Sequence, residues 1–162
     1  MELLNNTTKT LKDDLTKEIK KGSKISIAAA CFSIYAFKEL KENLSQIDEL
    51  RFIFTSPTFV AEKAKKERRE FYIPRLTRER NLYGTEFEIK LRNELTQKAI
   101  AKECADWIKE KVSFKSNISD KSIQGQIVVD NVGYTPINNF TTVELGCEKG
   151  NVISTTIVKD ES

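Results

Sequence analysis

The chain has 162 residues, of which 39% are hydrophobic and 31% charged, with a net charge of +3 and no histidine. That length and balance suit a single globular domain large enough to bury a core. The missing histidine, with Cys31, Cys104 and Cys147 scattered and no Cys-x-x-Cys pair, excludes imidazole chemistry and argues against a zinc site, so neither metal nor cofactor is expected.

The first elements follow from periodicity. Asn5, Asn6, Thr7 and Thr8 offer caps for a helix whose face is Leu11, Leu15 and Ile19, closed by Lys20-Lys21-Gly22. Ile25–Phe32 reads as a buried strand, and Ser33 as the cap of a helix with Ile34, Phe37, Leu40, Lys41 and Leu44 at helical spacing. Leu50–Thr55 is a second strand. Helix, strand, helix, strand is the signature of a crossover between parallel strands. The apolar run Ile25–Ile34 is broken by Ser26 and Ser33 and is too short to span a bilayer. The acidic, polar N-terminus is unlike a secretory signal. A cytoplasmic protein with reduced thiols and no membrane partner is expected.

Pro57 opens a stretch to Arg80, part helix and part loop, which Pro74 interrupts. Ala61–Arg80 carries Lys63, Lys65, Lys66, Arg68, Arg69, Arg75, Arg78 and Arg80 against four glutamates. Such a stripe suits phosphate neutralisation, the guanidinium forks of Arg75, Arg78 and Arg80 more so than ammonium groups; it equally suits a solvated helix face. Glu88–Lys111 reads as helical towards its end, where Ala101, Cys104, Ala105, Trp107 and Ile108 form an apolar face. Lys111–Lys115 alternates as a strand, Asn117–Gly125 is a polar connection, Ile127–Val129 is a strand, and Val152–Val158 is a last strand in one of two registers. The fold class is therefore α/β, a mixed, largely parallel sheet with helices on both faces, in one domain over residues 1–162.

Two segments carry a resemblance. Gln124-Gly-Gln-Ile-Val-Val-Asp-Asn131 is a strand running into a turn, and Pro136-Ile-Asn-Asn-Phe-Thr-Thr-Val-Glu-Leu-Gly146 is a second short strand with a polar corner. Together with Ile25–Ala36, Leu50–Ser56, Tyr83–Glu94 and the opening Asn-Asn-Thr-Thr-Lys-Thr-Leu, they resemble the phospholipase D-like (HKD) domain found at the N-terminus of bacterial Swi/Snf-type and DEAD/H helicases. The family pattern is His-x-Lys-x-x-x-x-Asp followed by Gly-Ser-x-Asn-Phe-Thr. The resemblance implies a histidine nucleophile, a second histidine as proton donor, and a lysine and an asparagine on the phosphate oxygens.

Here Gln124 and Gln126 stand at the histidine and lysine positions and Asn131 at the aspartate position, with Asp130 beside it. Asn139 alone matches a functional position, and Thr141 follows it in the corner; a turn-forming role for Asn139 is the competing reading. A glutamine amide neither attacks phosphorus nor shuttles protons near neutral pH. No second copy supplies the missing imidazole. No phosphate-binding ATPase loop occurs. Glu86, Glu88 and Glu94 read as a solvated helix start rather than Mg²⁺ ligands, and Cys31 and Trp107 read as core.

The resemblance thus implies a catalytically degenerate accessory domain of a bacterial, mobile-element-type DNA helicase or translocase, the chain being the N-terminal part of a longer protein. Expected partners are nucleic acid, DNA in particular, and downstream helicase domains, with a homodimer by analogy. The binding residues would be Asn139, Thr141, Arg75, Arg78, Arg80, Lys65 and Lys66. The alternatives are a phosphodiesterase with a non-histidine mechanism and a protein-interaction module without nucleic-acid binding.

Overall fold

The first strand pair sets the architecture. In the computed structural model, which describes residues 1–55, 94–117, 121, 123–147 and 156–161, β2 (Lys24–Ala29) and β3 (Glu49–Phe54) run parallel with Ile25, Ile27 and Ala29 beside Leu50, Phe52 and Phe54. These six side chains are buried, while Lys24, Ser26 and Arg51 on the reverse side are exposed. Helix α2 (Ile34–Leu44) makes the crossover and starts where expected: the Ser33 hydroxyl accepts from the Tyr35 N–H at 3.1 Å. Ile34, Phe37, Leu40 and Leu44 are all buried.

Helix α3 (Glu94–Lys111) leads into β4 (Val112–Ser116), which pairs parallel to β3. The Trp107 ring lies 5.0 Å from Phe37 and 6.4 Å from Phe32, and its Nε1–H donates to the Leu44 carbonyl at 2.8 Å. Trp107 is core, as expected, and it locks α3 to α2. Phe32 also meets Phe52, Phe114 and Phe140 at 5.4–5.7 Å, so one aromatic cluster joins the sheet, α3 and the polar corner.

The remaining strands correct the sequence-based expectation. β5 (Gln126–Val129) pairs antiparallel with β2 and with β6 (Val132–Thr135); β6 pairs antiparallel with β7 (Ile157–Glu161), and β7 with β1 (Glu2–Leu4). The seven-stranded sheet runs β1-β7-β6-β5-β2-β3-β4, with parallel pairing only at β2–β3 and β3–β4. The sheet is mixed, as expected, and antiparallel rather than parallel in most of its pairs. The cause is local: only Asp130 and Asn131 link β5 to β6, and a two-residue turn can return a chain only as a hairpin. Asp130 takes φ +53 there, and its carboxylate accepts from the Ser23 hydroxyl and the Lys24 N–H at 2.8 and 3.0 Å.

Among the described residues the helices cover one face, not two. α2 and α3 meet through Trp107, and α1 (Leu11–Glu18) sits on β6 and β7 of the same face. Leu11, Leu15 and Ile19 are buried as expected, but the cap is Thr10, whose hydroxyl accepts from the Asp13 N–H at 3.1 Å. Asn5 is engaged otherwise: its Oδ1 accepts from the N–H groups of Thr7, Thr8 and Lys9. Gly22 takes φ +81 in the turn after the helix instead of capping its last residue.

β1 and β7 also depart from expectation. β1 is three residues with only Leu4 buried, too short for periodicity to mark it. In β7, Ile157 faces the helices and Val158 the reverse side; residues 152–155 lie outside the described residues. No helix among the described residues is long and apolar enough to cross a membrane.

Candidate functional site

The polar corner is built by three backbone segments meeting at the C-terminal end of β2. Residues 138–140 run beside 30–33: the Ala30 N–H donates to the Asn138 carbonyl (2.8 Å), the Phe140 N–H to the Cys31 carbonyl (3.0 Å), and the Ser33 N–H to the Phe140 carbonyl (3.0 Å). On their flank, the Ile137 N–H donates to the Gly125 carbonyl at 3.1 Å. A β-carbon on Gly125 would overlap the Ile137 carbonyl oxygen, so only glycine lets Gln124–Gln126 approach this closely. Gln124 and Gln126 flank Gly125 and are exposed. They sit at the carboxyl end of a parallel strand pair, where open α/β sheets commonly hold ligands.

Below the corner lies a group that sequence reasoning missed. Glu144 is only 5% exposed, and its Oε1 accepts from the backbone N–H groups of Asn138 and Asn139 at 3.0 and 2.8 Å. Burial pushes its carboxyl above the ordinary range, against the two amides, which pull it down. At neutral pH the charge is therefore a cost, while the accepting oxygen is what the loop needs. The turn after it is tied to the N-terminal segment: Asn6 Nδ2 donates to the Glu144 carbonyl (2.6 Å), and the Leu11 N–H to Asn6 Oδ1 (2.7 Å). The one signal in the sequence was a carboxylate five residues after Asn139 in an otherwise uncharged corner; Asn6 had none beyond its turn propensity.

Glu144→Gln is expected to change stability by less than about 1 kcal/mol, since an amide oxygen still accepts both bonds. Glu144→Ala, which strands two backbone donors, is expected to cost about 2–3 kcal/mol. Urea melts of the two variants check this, and equal losses would contradict the assignment.

The sequence-derived site residues divide. Gly125 brings the backbone between Gln124 and Gln126 against Ile137, next to the segment that carries Asn139 and Thr141. Asn139 is half-buried, with Oδ1 accepting from the Cys31 thiol at 3.3 Å; Thr141 caps the following turn, its hydroxyl accepting from the Glu144 N–H at 3.3 Å. Both therefore have roles in holding the corner, Asn139 across to Cys31 and Thr141 within its own turn. Asn131 lies apart, at the other end of β5, about 15 Å away at strand rise. There it borders a shallow concavity of about 490 Å³ on the reverse face with Lys24, Ser26, Glu49, Arg51, Val128 and Asp130. Lys65, Lys66, Arg75, Arg78 and Arg80 lie outside the described residues, as do Glu86, Glu88 and residues 57–80 generally. Among the described residues no group of three His, Cys, Asp or Glu side chains is placed to hold a metal. Cys31 and Cys104 are buried and Cys147 is half-buried.

No protein-family model, no curated protein and no solved structure matches this chain.

Proposed function

We propose that this chain is a non-catalytic, phospholipase D-like nucleic-acid-binding module, serving as an accessory domain of a DNA helicase or translocase. What supports the reading is the corner: Asn139-Phe-Thr141 and the strand from Gln124 resemble the HKD pattern in sequence, yet amides occupy the positions of its nucleophile and its lysine. Asn139 Oδ1 already accepts from Cys31, which leaves the Asn139 amide N–H₂ to donate. No imidazole exists in the chain to form a phosphoenzyme or protonate a leaving group. Affinity for the strand as a whole then comes from the basic segment, Lys65, Lys66, Arg75, Arg78 and Arg80, through counterion release.

The test is a titration of the full chain against labelled duplex and single-stranded DNA over a salt series. Affinity should fall with salt, and replacing Arg75, Arg78 and Arg80 together by glutamine should flatten the single-strand slope by about 2, the value for three lost phosphate contacts. An unchanged slope would remove the basic segment from the account. Absence of binding to either DNA at low salt would remove nucleic acid altogether.

A further inference from the structure

We infer that the corner recognises the edges of unpaired nucleobases rather than the phosphodiester backbone. The inference rests on the nucleic-acid reading above and assigns that site its ligand chemistry.

The side chains presented there are amides. Gln124 and Gln126 are exposed, Asn138 is exposed and Asn139 half-buried. Among the described residues, the two glutamine side chains make one long contact, from Gln124 Nε2 to the Gly125 carbonyl at 3.5 Å. A phosphodiester offers acceptors only, so it would leave the carbonyl half of Gln124, Gln126 and Asn138 unmatched; Asn139, whose Oδ1 already accepts from Cys31, adds a donor. A base edge offers donor and acceptor side by side, the pattern that one primary amide matches with two parallel hydrogen bonds. None of these four residues is cationic, so nothing among them favours a phosphate over a neutral ligand.

The presentation is also rigid. The backbone under the amides is fixed on every side: Asn138 and Asn139 N–H by Glu144, the Asn138 carbonyl by Ala30, and the Gly125 carbonyl by Ile137. A pre-organised backbone limits the ordering cost of a directional contact. In a duplex the Watson–Crick edges are occupied, which makes an unpaired strand the better fit. The two roles differ in chemistry: cationic Lys and Arg side chains supply salt-dependent affinity for phosphates, and the amides supply preference among bases.

The experiment compares the full chain and its Gln124→Ala/Gln126→Ala variant on labelled single strands of equal length, four homopolymers and an abasic strand with the same phosphates. Both glutamines are exposed, so the variant should keep the parent's melting temperature. The parent should bind at least one base-bearing strand about tenfold more tightly than the abasic one, the effect of one good amide–base pair. The variant should lose that margin and keep its salt slope. Equal affinity for abasic and base-bearing strands, or an equal loss on both in the variant, would overturn the base assignment and leave the nucleic-acid reading intact. Absence of binding to every strand would overturn both, and a peptide-type ligand for the amides would then be the chemistry to pursue.

Discussion

Gly125→Ala is expected to destabilise the fold by on the order of 3 kcal/mol or more, seen as a fall in melting temperature of roughly 6–12 °C. The β-carbon would sit on the carbonyl oxygen of Ile137 and close to that of Ala28. Neither oxygen belongs to a side chain that can rotate away. To make room, residues 124–126 must move off residues 137–138, which breaks the Ile137–Gly125 bond and frees the loop that Glu144 holds. Gly133→Ala is the control. It lies in β6, its nearest neighbour to an added methyl is the Asp160 carbonyl oxygen at 3.9 Å, and its φ is not left-handed. That substitution should be neutral or stabilise slightly, by up to about 1 kcal/mol, because it only restricts the unfolded chain. Similar losses from both glycines would mean that the close approach at the corner is not what holds it.

The second large effect is expected at the join between α1 and the antiparallel half of the sheet. Asp14, buried, accepts the Tyr134 hydroxyl at 2.6 Å and pairs with Lys159 Nζ at 3.0 Å; Lys159 also reaches Glu18 at 2.9 Å. Asp14→Ala leaves a buried phenol and a largely buried ammonium short of a partner. Its cost should be about 3 kcal/mol, the lower end for a broken buried pair because Glu18 remains. Asp14→Asn keeps an acceptor for Tyr134 and should lose about half as much.

The same group sets an alkaline limit. Burial and the bond to Asp14 push the Tyr134 hydroxyl far above its ordinary value. Burial alone would lower Lys159, but its bonds to Glu18 and Asp14 and their charges raise it. Both groups therefore hold protons in the folded protein that the unfolded chain releases near pH 10. Their stabilisation is complete below that pH and is lost as pH climbs from about 10 through the folded values. Urea midpoints from pH 7 to 11 should be level and then fall, and in Tyr134→Phe/Lys159→Met the fall should be shallower. A parent midpoint that stays level to pH 11 would contradict the network.

The parallel half of the sheet was legible in the sequence because each of its elements announces itself locally. The Ser33 cap, the strand Leu50–Thr55 and the Trp107 face read correctly from local pattern, and the strand read at Ile25–Phe32 is β2, which ends three residues earlier at Ala29. The antiparallel half is misread from local pattern: the second strand falls in Pro136–Gly146, whereas β6 is Val132–Thr135, directly after the two-residue turn that reverses the chain. β1 joins β7 from the far end of the chain, and only its Leu4 is buried. The corner was legible as a place but not as a mechanism of support. Asn139-Phe-Thr141 marked it, whereas the carboxylate beneath it, Glu144, and the N-terminal Asn6 that anchors the next turn reach it through space. Asn131, read at the aspartate position, lies at the other end of β5 from Gln124, a separation that spacing along one strand already implies.

The proposal is that this corner binds nucleic acid without cutting it. It is tested most directly by following one labelled single-stranded DNA for both binding and integrity in the same solution, with and without Mg²⁺, over a salt series. A bound, intact strand is expected, with affinity that falls as salt rises and a background cleavage rate that does not scale with protein. Cleavage that scales with protein and survives repurification, or a strand that does not bind even at low salt, would contradict it.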